Sequence, residues 1–154
     1  MTSTAGPDPS TSPLVVPPGE GSTFDWANDA VRVLSATPWS NGAVTLVEDT
    51  LKPGFMLGRH HHKRMTEVFY VLEGVVDFAV HDQPVQAVRG TVITVPPNTP
   101  HGVHCPEGAT MLTVFVPGGF DLYLADVAEL VASGKDSPDA FTELGHRYDI
   151  WPDA

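Results

Sequence analysis

A single cysteine, Cys105, stands in this chain, so no disulfide can form within it. That fits a reducing compartment and sets aside the disulfide-stapled secreted scaffolds. Basic residues are scarce as well: eight Lys and Arg against nineteen Asp and Glu leave a net charge of −11. A field of that sign repels polyanions, which argues against a nucleic acid partner and against docking on an anionic membrane surface. No apolar run approaches the roughly 20 residues that a membrane-spanning helix needs. No Lys or Arg precedes Arg32, so the basic lead-in of a secretory signal is missing too, and the expected location is the cytoplasm.

The 154 residues are 42% hydrophobic, enough for one domain with one core. Residues 1–21 are rich in Pro, Ser, Thr and Gly, a composition that buries too little surface to offset its ordering entropy, so a flexible N-terminal arm is expected there. Within it, Leu14–Val16 offers a short segment able to add to a sheet edge. Between 22 and 120 the chain alternates short apolar segments with turn signals. Candidate strands are Val31–Ser35, Ala43–Leu51, Met56–His62, Glu67–Leu72, Val75–Val80, Val85–Val88, Thr91–Val95, His101–Cys105 and Met111–Val116, punctuated by pairs such as Pro53-Gly54, Glu73-Gly74 and Arg89-Gly90. Many short strands at this spacing predict an all-β sandwich or barrel. Helical patterns appear only in the C-terminal extension, 121–154: one over Asp121–Ala132, and a second from a Ser137 cap and Pro138 to about Tyr148.

Two clusters carry the chemistry. His60 and His62 are two apart in a candidate strand, and a period of two places both side chains on one face together with Met56 and Gly58. Glu67 opens the next strand, sharing its face with Phe69 and Val71, and a hairpin would set it opposite the histidine pair. His101 follows Pro96-Pro97-Asn98-Thr99-Pro100, a rigid turn suited to delivering it to the same interior. Three imidazoles and one carboxylate suit a single divalent transition metal: iron, manganese, nickel, cobalt, copper or zinc. A His-His-His run alone is often a solvated tract; the offsets of Glu67 and His101 are what make it a site. His61 points away and is expected at the surface or in support. His81, His104 and His146 fall out of phase or near turns and are not expected to be ligands. Cys105 reads as a small buried thiol. Met56, Phe69, Val71, Phe78 and Phe115 are the candidate core or pocket wall, and Arg59, Lys63 and Arg64 a solvated face or a rim that attracts an anionic substrate.

The run Gly54, His60, His62, Glu67, Gly74 meets every position of the first motif of the cupins, and Gly90, Pro96 and His101 meet the second. In the second motif Asn98 stands where the family has its inner glycine and Cys105 where it has a final Asn. The resemblance covers roughly Trp39 to Phe120. It implies a double-stranded β-helix, or jelly-roll, barrel holding a metal in its mouth, with a short helical tail and a homodimeric assembly. The segment Arg59–Gly74 and the tail after Val116-Pro-Gly-Gly-Phe120 further resemble small single-domain cupins related to quercetin 2,3-dioxygenase, which implies a metal-dependent dioxygenase for an enolic or phenolic small molecule.

Four protein ligands around an octahedral ion leave two positions for substrate, water or dioxygen, and Glu67 is the ligand best able to take a proton as general base. Two other classes stay open at this point. One is a non-redox isomerase, cyclase or lyase acting on a natural product or keto acid with the metal as Lewis acid. The other is a metal- or small-molecule-binding module without turnover.

Overall fold

The structure, a computed structural model, describes residues 13–154; the expected arm lies for the most part outside them. Leu14–Val16 forms no strand. Ten strands follow: β1 (Ser22–Asp25), β2 (Asp29–Ser35), β3 (Thr45–Leu51), β4 (Phe55–His61), β5 (Thr66–Val80), β6 (Gln83–Val88), β7 (Val92–Val95), β8 (His101–Cys105), β9 (Ala109–Val116) and, after the helices α1 (Phe120–Ala132) and α2 (Pro138–Arg147), a terminal β10 (Trp151–Pro152). All pairings are antiparallel, and together they make a jelly-roll barrel. Among the described residues no helix is long and apolar enough to cross a membrane.

Alternation builds the walls. Along β9 every second residue is buried, from Ala109 through Met111 and Thr113 to Phe115, and β3 buries Thr45, Val47, Asp49 and Leu51 in the same way. One face therefore meets the interior while the other is solvated or covered. The core divides into a cluster around Phe69, Phe78, Val103 and Met111, and a second around Val47, Met65, Phe115 and Leu124 that receives α1.

β5 joins the two sheets. Its first half, Thr66–Gly74, pairs with β9 and β7, and its second half, Val75–Val80, pairs with β6 and β8. The Glu73-Gly74 signal is therefore a bend within one 15-residue strand, where the sequence suggested a turn between two. The register shifts between Val71 and Glu73, and buried parity changes with it, from Glu67, Phe69 and Val71 to Val76 and Phe78. Gly74 has φ 86°, and a Cβ there would lie 2.7 Å from the Gly108 carbonyl oxygen and 2.9 Å from Ala109 Cα. Glycine is what lets the strand cross from one sheet to the other.

A second irregularity lies in β4. Leu57 pairs with Val103 but His60 pairs with His101, so three steps on β4 oppose two on β8. This bulge resets the parity: Phe55 is buried before it, His60 and His62 after it, and Met56 is 65% exposed. Met56 does not share the histidines' face as strict alternation predicts.

Candidate metal centre

His60, His62, Glu67 and His101 converge, all four buried, with one ligand atom from each within 4.8 Å of the others. The convergence runs across the barrel and not along a hairpin. β4 and β5 do not pair; β4 lies beside β8 and β10. His60 and His101 are cross-strand neighbours on β4 and β8, while Glu67 projects from the opposite sheet, where it pairs with Val95 and Phe115. His62, just past β4, is fixed through its backbone carbonyl, which accepts from Asn98 N at 2.6 Å. Asn98 holds φ 60°, the left-handed geometry expected of it, so the loop before His101 and the segment after His60 are tied together.

Each imidazole is oriented by a carbonyl. Nδ1 of His60 lies 2.9 Å from Gly58 O, that of His62 2.8 Å from Asp149 O, and that of His101 2.9 Å from Thr99 O. A carbonyl only accepts, so each Nδ1 is the protonated donor and each neutral ring keeps its lone pair on Nε2. The Nε2 atoms of His62 and His101 sit 3.0 and 2.9 Å from the same oxygen, Glu67 Oε2. Lone pairs thus face a carboxylate unless a positive charge lies between them. Protons can serve in part: burial pulls on the His62 ring, but hydrogen bonding and attraction to Glu67 carry it above the usual imidazole range. They cannot serve all three rings, whose centroids are only 4.3 to 5.4 Å apart. Burial and the neighbouring His101 hold His60 down at about 4, hence neutral near pH 7. For Glu67, burial pushes the carboxyl up, yet hydrogen bonds from His101 and His62 prevail and hold it at about 2. A neutral imidazole, two more whose Nε2 atoms would give up their shared protons to a metal, and an ionised carboxylate are a donor set suited to one divalent cation, with carbonyls supporting from behind.

His60, His62 and Glu67 form one wall of a cavity of about 520 Å³, with His101 fully buried beside them. Phe69, Phe115 and Met56 line it as the sequence suggested, but Val71 and Phe78 do not; they lie in the core cluster on and beyond the bend of β5. α1 and α2 close the other side with Phe120, Tyr123, Leu124, Val127 and Phe141. His61 faces outward and meets Asp153 at 3.0 Å. His104 and His146 are exposed, the latter stacked on Trp151. Cys105 is buried. Arg59 pairs with Asp82 at 2.6 Å, and Lys63 lies 3.3 Å over the Trp151 ring, so neither stands at the cavity.

Two acidic residues escaped the sequence reading. Asp149, beyond α2, accepts from Lys63 N, Arg64 N and Met65 N at 2.8 to 2.9 Å. Nothing in its sequence neighbourhood marks that role. Asp49 lines the cavity from β3, and there a signal existed: it occupies the buried parity of Thr45, Val47 and Leu51, where an apolar residue is expected.

Comparisons with known proteins agree with this architecture. Residues 47–117 match the family described as the cupin domain. Over 118 residues, 76% of this chain, it is 29% identical to quercetin 2,3-dioxygenase of Bacillus subtilis, of which the match covers 35%. The chain therefore spans about a third of that relative's length. Among solved structures, KdgF from a Halomonas species superposes with TM-score 0.65 over 72% of this chain and 99% of its own, at 18% identity. An RmlC-like cupin from Shewanella frigidimarina gives 0.64 over 72% and 96%, at 24% identity. At these identities the structural matches speak to fold alone.

Proposed function

Since this chain is a cupin by its residues 47–117, we propose that it is a metal-dependent enzyme, a dioxygenase acting on an enolic or phenolic, flavonol-like small molecule. The observation that carries this reading is the convergence of three imidazoles and the Glu67 carboxylate beside a largely apolar cavity, with His60, His62 and Glu67 on its wall. His60, His62, Glu67 and His101 are the residues that would hold the metal. When bound, a divalent transition metal supplies Lewis acidity and, if redox-active, a path for electrons to dioxygen.

The chain's own groups supply the rest. Glu67 Oε2 is turned to His62 and His101, leaving Oε1 to accept the proton of a substrate hydroxyl. Phe69 and Phe115 offer flat apolar walls that orient a planar ring, and the helical side excludes water from the reacting atoms. The relative from Bacillus subtilis, named for quercetin dioxygenation, favours the oxidative reading over a non-redox one. A homodimer is part of this reading, with β1, the exposed edge strand among the described residues, as the edge that would pair with a second copy.

The test is elemental analysis of protein purified without an affinity tag, followed by a screen of flavonols and simpler phenols with the metal found. Stoichiometric metal and oxygen-dependent consumption over many turnovers are expected. Turnover undiminished under strict anaerobiosis would replace the dioxygenase by a non-redox enzyme. Binding without consumption of any compound would leave a binding module.

A further inference from the structure

Away from the four clustered ligands, the interior face of the barrel carries a second polar position. Asp49 lies on the same inward face as Glu67, but two strands over and four residues along: Glu67 pairs with Phe115, Phe69 with Thr113, and Val71 with Met111, which in turn pairs with Asp49. Thr113 stands on the diagonal between the two carboxyls, and its hydroxyl donates to Asp49 Oδ2 at 2.6 Å. At the strand and residue spacings of a sheet, the backbones of Asp49 and Glu67 are separated by roughly 16 Å along the diagonal of the wall. Asp49 is only 7% exposed and lines the cavity. No Lys, Arg or His pairs with it among the described residues. Asp29, at the start of β2, lines the cavity beside it, and Asp29 Oδ1 is buried without a hydrogen-bond partner.

A carboxylate placed there without a cation is costly, and the molecule resolves this by keeping the proton. Burial, and after it the charge of Asp29, push the Asp49 carboxyl up to about 8; the Thr113 hydroxyl offsets this in part, while Glu67 and Glu48 add to it. With Oδ2 taken by Thr113, the remaining oxygen carries the hydrogen and offers it to the cavity. Thr113 is the one side-chain hydrogen-bond partner that Asp49 has among the described residues. An apolar wall with one unspent donor, set along the same face as Glu67 and away from the ligand cluster, is a two-point template.

Resting on the reading of the cavity as a metal-dependent site for enolic or phenolic molecules, we propose that Asp49, seated on Thr113, is a specificity-determining residue that donates a hydrogen bond to a second oxygen of the substrate. The substrate class this selects is a neutral planar molecule with oxygen functions at two ends: a hydroxyl at Glu67, and a hydroxyl or carbonyl at Asp49. An anionic far end is disfavoured by Asp29 beside it. A molecule with the first function but not the second leaves the Asp49 donor buried and unpaired, which lowers its affinity.

Anaerobic binding titrations of the metal-loaded protein with quercetin and with 3-hydroxyflavone test this. The two share the enolic hydroxyl, but only quercetin carries further hydroxyls on its outer rings. Wild type is expected to bind quercetin tighter by about tenfold or more. Asp49→Leu erases that preference while metal content stays stoichiometric, whereas Asp49→Asn, still a donor, retains most of it. Thr113→Val, which frees Asp49 from its seat, reduces the preference and serves as the second reading should Asp49→Leu fail to fold. Equal affinity for both compounds in wild type, or an undiminished preference in Asp49→Leu or Thr113→Val, overturns the role of Asp49 and leaves the metal-dependent reading intact. Failure of wild type to bind either compound overturns the flavonol-like reading itself, and the Asp49 inference with it.

Discussion

Asp149 orients His62 twice over. Its backbone carbonyl accepts the His62 Nδ1 proton at 2.8 Å, and its carboxylate gathers the three successive N–H groups that follow His62 in the chain. Asp149 sits at φ 64°, a left-handed conformation that lets a single residue present both groups to one loop. Asp149→Gly keeps that conformation and the carbonyl but removes the carboxylate. Its affinity for the metal should fall by about 10- to 100-fold, the usual cost of losing a ligand's support, as measured by competition with a chelator. An unchanged affinity would make Asp149 a purely local cap.

The ligands themselves give a sharper result. His62→Ala and His101→Ala should each lose most bound metal in elemental analysis, since each removes one of three inward lone pairs. Near-stoichiometric metal in both variants would refute the assignment.

Glu67→Gln separates base from ligand. The amide is nearly isosteric but forgoes the ionised carboxylate's contacts with His62 and His101, so some stability is lost. Turnover should fall by about 10²- to 10⁴-fold in still-folded protein if Glu67 takes the substrate proton. Unchanged turnover denies it that role.

Stability should decline toward alkaline pH. Asp49, at about 8 in the folded protein against an ordinary 3.8, holds its proton after the unfolded chain has lost it, and Asp29, raised mainly by burial to about 6, acts with the same sign. Through these two groups the native state binds more protons in that window, so their contribution to stability is full below about pH 4 and is lost as pH rises through 8. Glu67 and His60 have the opposite sign. The share of Glu67 is lost only as pH falls from 4.5 through about 2. That of His60, held at about 4 against an ordinary 6.5, is lost as pH falls below 6.5 and so offsets part of the decline between about pH 5 and 6.5. Denaturant unfolding between about pH 5 and pH 8 should show a loss on the order of 3 kcal/mol, much reduced in Asp49→Asn. A flat profile in wild type would contradict the raised carboxyls.

The two glycines that bracket the first cluster should differ sharply. Gly54 has φ 84° but open space where a Cβ would sit, whereas Gly74 would drive a Cβ into backbone atoms of Gly108 and Ala109. Gly54→Ala should cost about 1 kcal/mol for its positive φ. Gly74→Ala should cost about 3 kcal/mol or more in chemical denaturation, because backbone cannot step aside.

Much of this was readable in the residues. The four side chains that converge, the His101–Cys105 strand and both helices follow from spacing, period and caps, because local patterns dictate them. What local patterns do not contain is register. The bulge between Leu57 and His60 moved Met56 off the histidine face, and the bend at Glu73-Gly74 joined two expected strands while sending Val71 and Phe78 into the core. Glu67 meets the imidazoles from the opposite sheet, a long-range fact that a hairpin argument could not reach. The parts supplied by the C-terminal extension, Asp149 and the helical wall of the cavity, are tertiary in the same sense.

β10 lies against β4, with Trp151 beside His61 and Pro152 beside His60, and Asp153 N donates to the Arg59 carbonyl. A purification handle fused after Ala154 would hang within a few residues of the histidine cluster, and a polyhistidine tail there would offer rival imidazoles at high local concentration. Metal stoichiometry and oxygen consumption measured on such a fusion would report on the handle as much as on the protein.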